Sequence, residues 1–167
     1  MSYDVKYVRD NFHYDHETGV LSWAKRKQGR KIGKPVGNLD KDGYLYLTLK
    51  KGSNLIKYAV HRLCFIHYHG YVPDVMVDHE NLNKSDNRII NLREATNADN
   101  MRNVGKQAHN TSGIKGVSFH KHTNKWRANI KVNGKHIHLG VFECPAVASF
   151  AYQIAADKYH GKFARAF

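Results

Sequence analysis

Apolar and polar positions along the chain change rhythm several times, and each rhythm predicts an element. Residues 3–12 (YDVKYVRDNF) place Val5, Tyr7, Val8 and Phe12 at roughly helical spacing, which predicts a short helix. His16–Gly19 reads as a turn into a strand, GVLSWA, where Val20 and Ser22 alternate with Leu21 and Trp23. After a turn at Asp40–Gly43, Tyr44, Tyr46 and Thr48 alternate with Leu45, Leu47 and Leu49, the pattern of a half-buried strand. Lys51–Asn54 turns the chain back, and Ile56–Val60 is the hairpin partner. Residues 61–69 (HRLCFIHYH) predict a short helix stopped by Gly70, with Pro73 beyond it. Val75–Val77 is expected as a short strand and Asn81–Asn87 as a polar loop. The apolar Ile89–Leu92 leads to Thr96, an N-cap residue with Asp99 three positions on, so a helix is expected over 97–103.

Residues 104–113 (VGKQAHNTSG) have no period and read as a linker. Three strands are expected after it, Ile114–Phe119, Trp126–Val132 and His136–Val141, with turns at Thr123–Asn124 and Asn133–Gly134. Pro145 then opens a helix through Tyr159, stopped by Gly161. Strand alternation sets Val117, Phe119, Trp126, Ala128, Ile130, Val132, Ile137 and Leu139 on one face. That face meets a small-residue helix stripe of Ala148, Ala151, Tyr152, Ala155 and Tyr159. The opposite face carries Lys115, Ser118, His120, Arg127, Asn129, Lys131, His136 and His138. No internal repeat is evident. The expected class is α+β in two modules: 1–103, a linker at 104–111, and 112–167.

Charge narrows the partner. The 167 residues carry 27 Lys+Arg against 14 Asp+Glu, a net +13. Such an excess suits a polyanion, most simply nucleic acid, because bound cationic side chains release counterions from phosphate. An acidic membrane surface is the other option. Residues 25–34 hold six bases in ten positions, either a solvated loop or a phosphate-contacting arm. Between Asn100 and Phe142 there are eight bases and no acid, which favours a binding face over an ordinary mixed-charge surface. No apolar run approaches the length of a membrane span, and the N-terminus lacks the apolar core of a secretory signal. Cys64 and Cys144 form no CxxC pair, which excludes a cysteine-rich zinc site and suggests a reduced, cytosolic protein.

Candidate chemistry gathers at Asp78, His79, Asn87, Asn91 and Asn100. Phosphodiester hydrolysis needs an activated water and a cation to neutralise charge on phosphate and leaving oxygen. Histidine suits the first role because it titrates near neutrality. A carboxylate with a neutral amide oxygen suits a hard divalent ion that keeps several waters. Asp78 and Asn100 supply both if the 97–103 helix packs across the 75–79 strand. Neighbours on a strand point to opposite faces, so Asp78 and His79 serve one phosphate only if the strand ends or twists there.

HRL at 61–63, VDHENLNKSDNRIINLREAT at 77–96 and ADNMRN at 98–103 resemble the HNH endonuclease motif, in the form found in phage-borne homing endonucleases. The resemblance covers about residues 1–103 and implies a ββα-metal module. It implies His79 as general base and Asp78 as metal ligand. Asn91 corresponds to the middle asparagine that holds the loop bearing the base. Asn100 stands at the third letter, where many members have histidine, and implies the second ligand. That substitution favours one Mg²⁺ or Mn²⁺ per active site over zinc or nickel. Asn87, Arg88, His61 and Arg62 are expected to support the loop or touch phosphate, His61 more simply through a structural hydrogen bond than through catalysis.

SGIKGVSF, KWRANI, GKHIHLGVF and AYQIAADKYHGKFARAF resemble the APETALA/ethylene-response-factor DNA-binding domain, over essentially all of 112–167. The framework positions Gly116, Trp126, Gly140, Phe142, Ala155 and Gly161 are kept. The base-reading positions are not, so double-stranded DNA is the implied partner while the plant target is not. Together the modules are expected to form a nicking, homing-type endonuclease in the cytoplasm of an infected bacterial host, as monomer or dimer. Two alternatives are a low-specificity phage nuclease for packaging or host-DNA degradation, and a catalytically idle DNA-binding regulator.

Overall fold

The computed structural model describes residues 4–26, 30–51, 53–103, 110 and 112–164. The chain forms two compact units, Met1–Thr96 and Asn97–Phe167. Much of the basic 25–34 segment is described, but residues 27–29 and most of the expected linker lie outside the described residues.

The first unit opens with helix α1, Val5–Asn11, whose Asp4 cap accepts a hydrogen bond from the Lys6 amide. It is shorter than the apolar spacing suggests. Phe12 is already extended and begins strand β1, Phe12–Asp15, paired antiparallel with β2, Val20–Trp23. Phe12 and Trp23 are register partners with ring centroids 4.8 Å apart, so Phe12 anchors a strand rather than a helix face. Strands β3 (Asn38–Leu39), β4 (Leu45–Lys51) and β5 (Asn54–Ala59) form an antiparallel sheet in that order, with Leu47 and Leu49 turned into the core.

Helix α2, Val60–His69, follows directly and buries Val60, Leu63, Cys64, Phe65 and Ile66. Gly70 ends it, its amide donating to the Ile66 carbonyl. Next comes the hairpin of β6 (Met76–His79) and β7 (Leu92–Ala95), with a single 3₁₀ turn, Ile89–Asn91, before the second strand. Both strands run past the apolar stretches that suggested them. Polar Asp78 and His79 continue β6 because each is buried with a polar partner, which apolar patterning does not register. One core joins Val8, Phe12, Leu21, Leu63, Ile66, Val77 and Leu92, so the N-terminal hairpin, α2 and the β6–β7 hairpin share an interior.

The hairpin turn between β1 and β2 lies against the loop after β6. Gly19 has φ +77°, and a Cβ there would fall 2.6 Å from the Arg88 nitrogen, so only glycine fits. Tyr14 Oη donates to the Asn87 carbonyl at 2.6 Å, and the Ile89 amide donates to the His16 carbonyl at 3.2 Å.

The second unit begins with α3, Asn97–Asn103, and continues with the antiparallel sheet β10–β9–β8 (Lys135–Phe142, Lys125–Val132, Val117–His120) and helix α4, Pro145–His160. The β9–β10 turn has Asn133 at φ 48° and Gly134 at φ 81°, the doubly positive pair that matches hairpin twist. The helix packs on one sheet face through Ala148, Tyr152, Ala155 and Ala156 against Val117, Ala128 and Ile130. Gly116 permits this approach, since a Cβ there would meet the Tyr152 ring at 2.1 Å.

Two expected core residues are exposed. Phe119 packs edge-on against Trp126 rather than under the helix. Tyr159 gives way to His160, which lies one position further around the helix and donates Nε2–H to the Lys131 carbonyl at 3.2 Å. Among the described residues, no helix is long and apolar enough to cross a membrane.

Candidate active site

Strand β6 ends in the two residues that sequence chemistry singled out. Asp78 and His79 are 7% and 3% exposed, so both face protein although they are neighbours on one strand. The strand terminates at His79, and Glu80 and the following loop fold back over it, the Glu80 amide donating to the Asn91 carbonyl at 2.9 Å.

Cross-strand register gives Asp78 its partner. Arg93 lies opposite it on β7, and the guanidinium Nη2 stands 3.3 Å from Asp78 Oδ2. Both side chains are largely buried, and Arg93 also reaches Glu80 at 3.7 Å. The guanidinium compensates the burial of the Asp78 carboxylate.

His79 is held from the loop. Its Nε2 lies 3.0 Å from Asn87 Oδ1, and with the amide oxygen toward the ring only Nε2–H can complete the bond. The Nδ1 position then carries the lone pair. Burial pushes the imidazole below its ordinary value, against the opposing pull of the Asn87 bond and of Asp78 and Asp86. Asn87 is itself 2% exposed, and its Nδ2 is buried without a hydrogen-bond partner.

Asn91 does not touch the histidine. Its Oδ1 accepts from the Asn81 amide at 2.8 Å and its Nδ2 donates to the Asp86 carbonyl at 2.7 Å, so it clamps both ends of the 81–86 loop. Asp86 is held at about 2 chiefly by its hydrogen bond from Arg88, and the two are 2.7 Å apart. Arg88 is thus tied to the loop on its exposed side. Arg62 donates to the carbonyls of Val75 and Pro73, which fixes the segment leading into β6.

Two aromatic rings close the wall beside His79. His61, the second residue of α2, meets it edge-on with ring centroids 4.8 Å apart. Tyr44 lies 5.6 Å from His61 and 5.9 Å from His79. Lys84 sits 4.7 Å above the Tyr44 ring and donates Nζ–H to the Asp42 carbonyl at 3.0 Å, joining the β3–β4 turn to the 81–86 loop. The structural hydrogen bond expected of His61 is missing at Nδ1, which is buried and unpartnered, and burial beside His79 and Arg62 pushes the ring down to about 3.

Asn100 lies on α3 in the second unit, whereas Asp78 and His79 lie in the first. Among the described residues no three His, Cys, Asp or Glu side chains form a ready metal cage. Mg²⁺ does not need one, since it binds through one or two carboxylates, substrate phosphate and waters, and the buried Asp78 carboxylate fits that donor chemistry.

Arg93, Tyr44 and Lys84 were not identified from the sequence. Arg93 was accessible through the hairpin register opposite Asp78. Tyr44 and Lys84 had no such signal, because only the tertiary fold brings the β3–β4 turn beside the loop.

On the sheet of the second unit, Ser118, Arg127, Lys131, His136 and His138 are exposed, with Asn129 partly covered. His138 Nδ1 and Asn129 Oδ1 are 3.1 Å apart across β9 and β10. His120 is tied to Thr123 at 2.9 Å. Lys115 turns elsewhere, donating Nζ–H to the Arg102 carbonyl at 2.7 Å.

Residues 58–102 match the protein-family profile described as HNH endonuclease. The chain is 32% identical over 89 residues to Protein 3.8 of Escherichia phage T7, covering 53% of this chain and 73% of that protein. It is 40% identical over 75 residues to DNA endonuclease I-HmuI of Bacillus phage SP01, covering 44% of this chain and 43% of that protein. This second match therefore spans under half of the relative's length. A solved structure described as DNA binding and cleavage by the HNH homing endonuclease I-HmuI aligns at 24% identity and TM-score 0.46, over 96% of this chain and 91% of that one.

Proposed function

The chain belongs to the HNH endonuclease family and is a DNA-hydrolysing endonuclease, and on that premise we propose that it is a metal-dependent, homing-type nicking enzyme with His79 as its general base. The observation that carries this reading is the bond between His79 Nε2 and Asn87 Oδ1, which leaves Nδ1 to accept a proton.

In this reading a water attacks the scissile phosphorus as its proton passes to His79 Nδ1. The P–O3′ bond breaks, the departing O3′ takes a proton from solvent water, and 5′-phosphate and 3′-hydroxyl ends result. Asn91 keeps the 81–86 loop closed so that Asn87 stays on the ring. Asp78 would hold a divalent ion, with Asn100 as the second ligand that the family resemblance adds. Such an ion, Mg²⁺ or Mn²⁺, supplies positive charge for the phosphate and the departing oxygen. Arg93 holds the Asp78 carboxylate from the opposite strand.

Residues 112–167 are assigned to anchoring on duplex DNA. Their APETALA/ethylene-response-factor-like sequence and the basic sheet face of Arg127, Lys131, His136 and His138 support that role. One active site per chain makes a single-strand nick the expected product. The test is supercoiled plasmid with Mg²⁺, with and without EDTA, for the parent and His79→Ala. Nicked circles from the parent alone, lost on chelation, are the expected result. Unaltered plasmid in every lane overturns the reading.

A further inference from the structure

His61 has no role in the proton transfer assigned to His79, yet it occupies the wall of the same site. Its ring sits edge-on to the base at 4.8 Å, with Tyr44 against both rings. Three features bear on what it does there.

The first is its hydrogen bonding. Nδ1 is buried with no partner, and a buried unpaired N–H is rarer in proteins than a buried unpaired acceptor. The ring proton therefore belongs on Nε2, the distal nitrogen. The second is charge. Burial holds the ring neutral, so it offers an N–H donor that carries no charge. The third is position. His61 stands in the first turn of α2, which has no acidic residue and whose cap, Ala59, offers no side-chain oxygen to the helix amides. The positive end of the helix thus opens at the same corner and favours an anion.

We propose that His61 is a catalytic residue that donates Nε2–H to a non-bridging oxygen of the scissile phosphate held in front of His79. This deepens the endonuclease reading and rests on it. The edge-on contact makes the two histidines complementary: one accepts the water's proton and the other meets charge that grows on the phosphate during attack. A neutral donor suits this place, because it can stabilise the phosphoryl oxygen without adding positive charge beside a base that must stay unprotonated.

The test uses the full chain and compares His61→Phe with His61→Gln. Phenylalanine keeps a ring against His79 and Tyr44 but removes the donor. Glutamine loses the ring but can place an amide N–H near Nε2. Single-turnover cleavage at saturating DNA and Mg²⁺ is measured with duplex affinity and thermal melting. H61F is expected to cleave about 10–100-fold more slowly, the size of a lost hydrogen bond to a charged group, with little change in DNA affinity. H61Q should recover to within about 5-fold of the parent, since its amide restores a hydrogen bond to the same charged oxygen. Parental cleavage by H61F overturns the assignment, as does an H61Q no faster than H61F. Should H61F fail to melt cooperatively, H61Q decides alone: near-parental cleavage supports the donor role, and a loss of about 10-fold or more refutes it. A parent that fails to cleave under these conditions counts against the endonuclease reading itself, which separates the two failures.

Discussion

Asn87 Oδ1 and His79 Nε2 lie 3.0 Å apart, and in the proposed mechanism that contact selects Nδ1 as the nitrogen that accepts the proton. An amide oxygen only accepts, so the proton is on Nε2 and the lone pair on Nδ1. His79→Ala should therefore lose about 10²–10⁴-fold in single-turnover rate with DNA affinity nearly unchanged, the usual size of a general-base contribution. Asn87→Ala should lose less rate but also lower stability by about 1–3 kcal/mol, because it strands a buried N–H. Near-normal cleavage by the His79 variant would remove it from the mechanism.

The pH profile follows from the sign of the His79 shift. Burial lowers its pKa below the ordinary 6.5, and the base works only when unprotonated. The rate should be level as pH falls from 8 to about 6.5 and should decline only on the acid side of that value. Rates between pH 4.5 and 8, at fixed Mg²⁺, check this. A decline that begins near pH 7.5 would mean the group is raised, not lowered.

Stability should share the same acid sensitivity. His61, His67, His79 and His160 are all lowered, in each case chiefly by burial. In the unfolded chain they take up protons below about pH 6.5 while the folded chain refuses them. The unfolded state then binds more protons, so stability rises with pH through this window and is lost on acidification. Each histidine contributes at most about 1.4 kcal/mol per pH unit while its two states differ. Asp86, held at about 2 by Arg88, adds its loss only below the ordinary carboxylate range. Melting temperature should fall from pH 7 to pH 4.5, and H61F should shrink the fall.

Metal dependence is best tested at Asp78 with asparagine. Deleting the side chain would take from the largely buried Arg93 its cross-strand partner, leaving it the more exposed Glu80. Asp78→Asn should raise the Mg²⁺ or Mn²⁺ concentration needed for half-maximal cleavage, and EDTA should abolish cleavage by the parent. Asn100→Ala should raise the same concentration. Cleavage that survives exhaustive chelation would overturn the single-metal reading.

On the sheet of the second unit, Arg127→Ala and Asn129→Ala should each cost about 1–3 kcal/mol at particular base pairs, if that face reads a groove. Lys131→Ala should weaken all sequences alike and flatten the salt dependence by about one unit. Lys115→Ala should do neither, because its ammonium group is spent on the Arg102 carbonyl. Its effect should appear in thermal melting. Binding titrations at several salt concentrations, on random and selected duplexes, separate these outcomes.

Local chemistry made much of the site readable in the sequence. The Asp78–His79 pair announced itself because a carboxylate and an imidazole at a strand end, followed by spaced asparagines, have few other uses. The alternation of β4 and β9 named their buried faces, Leu47 and Leu49 in one and Ala128 and Ile130 in the other. Where sequence reading failed, the cause was burial of polar groups. Apolar patterning ended β6 at Val77, but the strand continues because Arg93 and Asn87 compensate the next two side chains. Periodicity also preferred Tyr159 to His160 under the sheet, because it does not register that a carbonyl at Lys131 awaits a donor. Asn87 and Asn91 were both identified, yet which one touches the base depended on a loop conformation that spacing does not encode.

The close seat of Gly19 against Arg88, with Tyr14 bonded to the Asn87 carbonyl, has a consequence for anyone wishing to transplant this chemistry. The recognisable motif is not a portable cassette. The segment matched at 58–102 contains His79 and Asn87, but the phenol that steadies that asparagine from behind arrives more than forty residues earlier in the chain. A graft of the motif alone would carry the reagents without the bench they are clamped to. A transplant of this chemistry should therefore carry the N-terminal hairpin along with the motif.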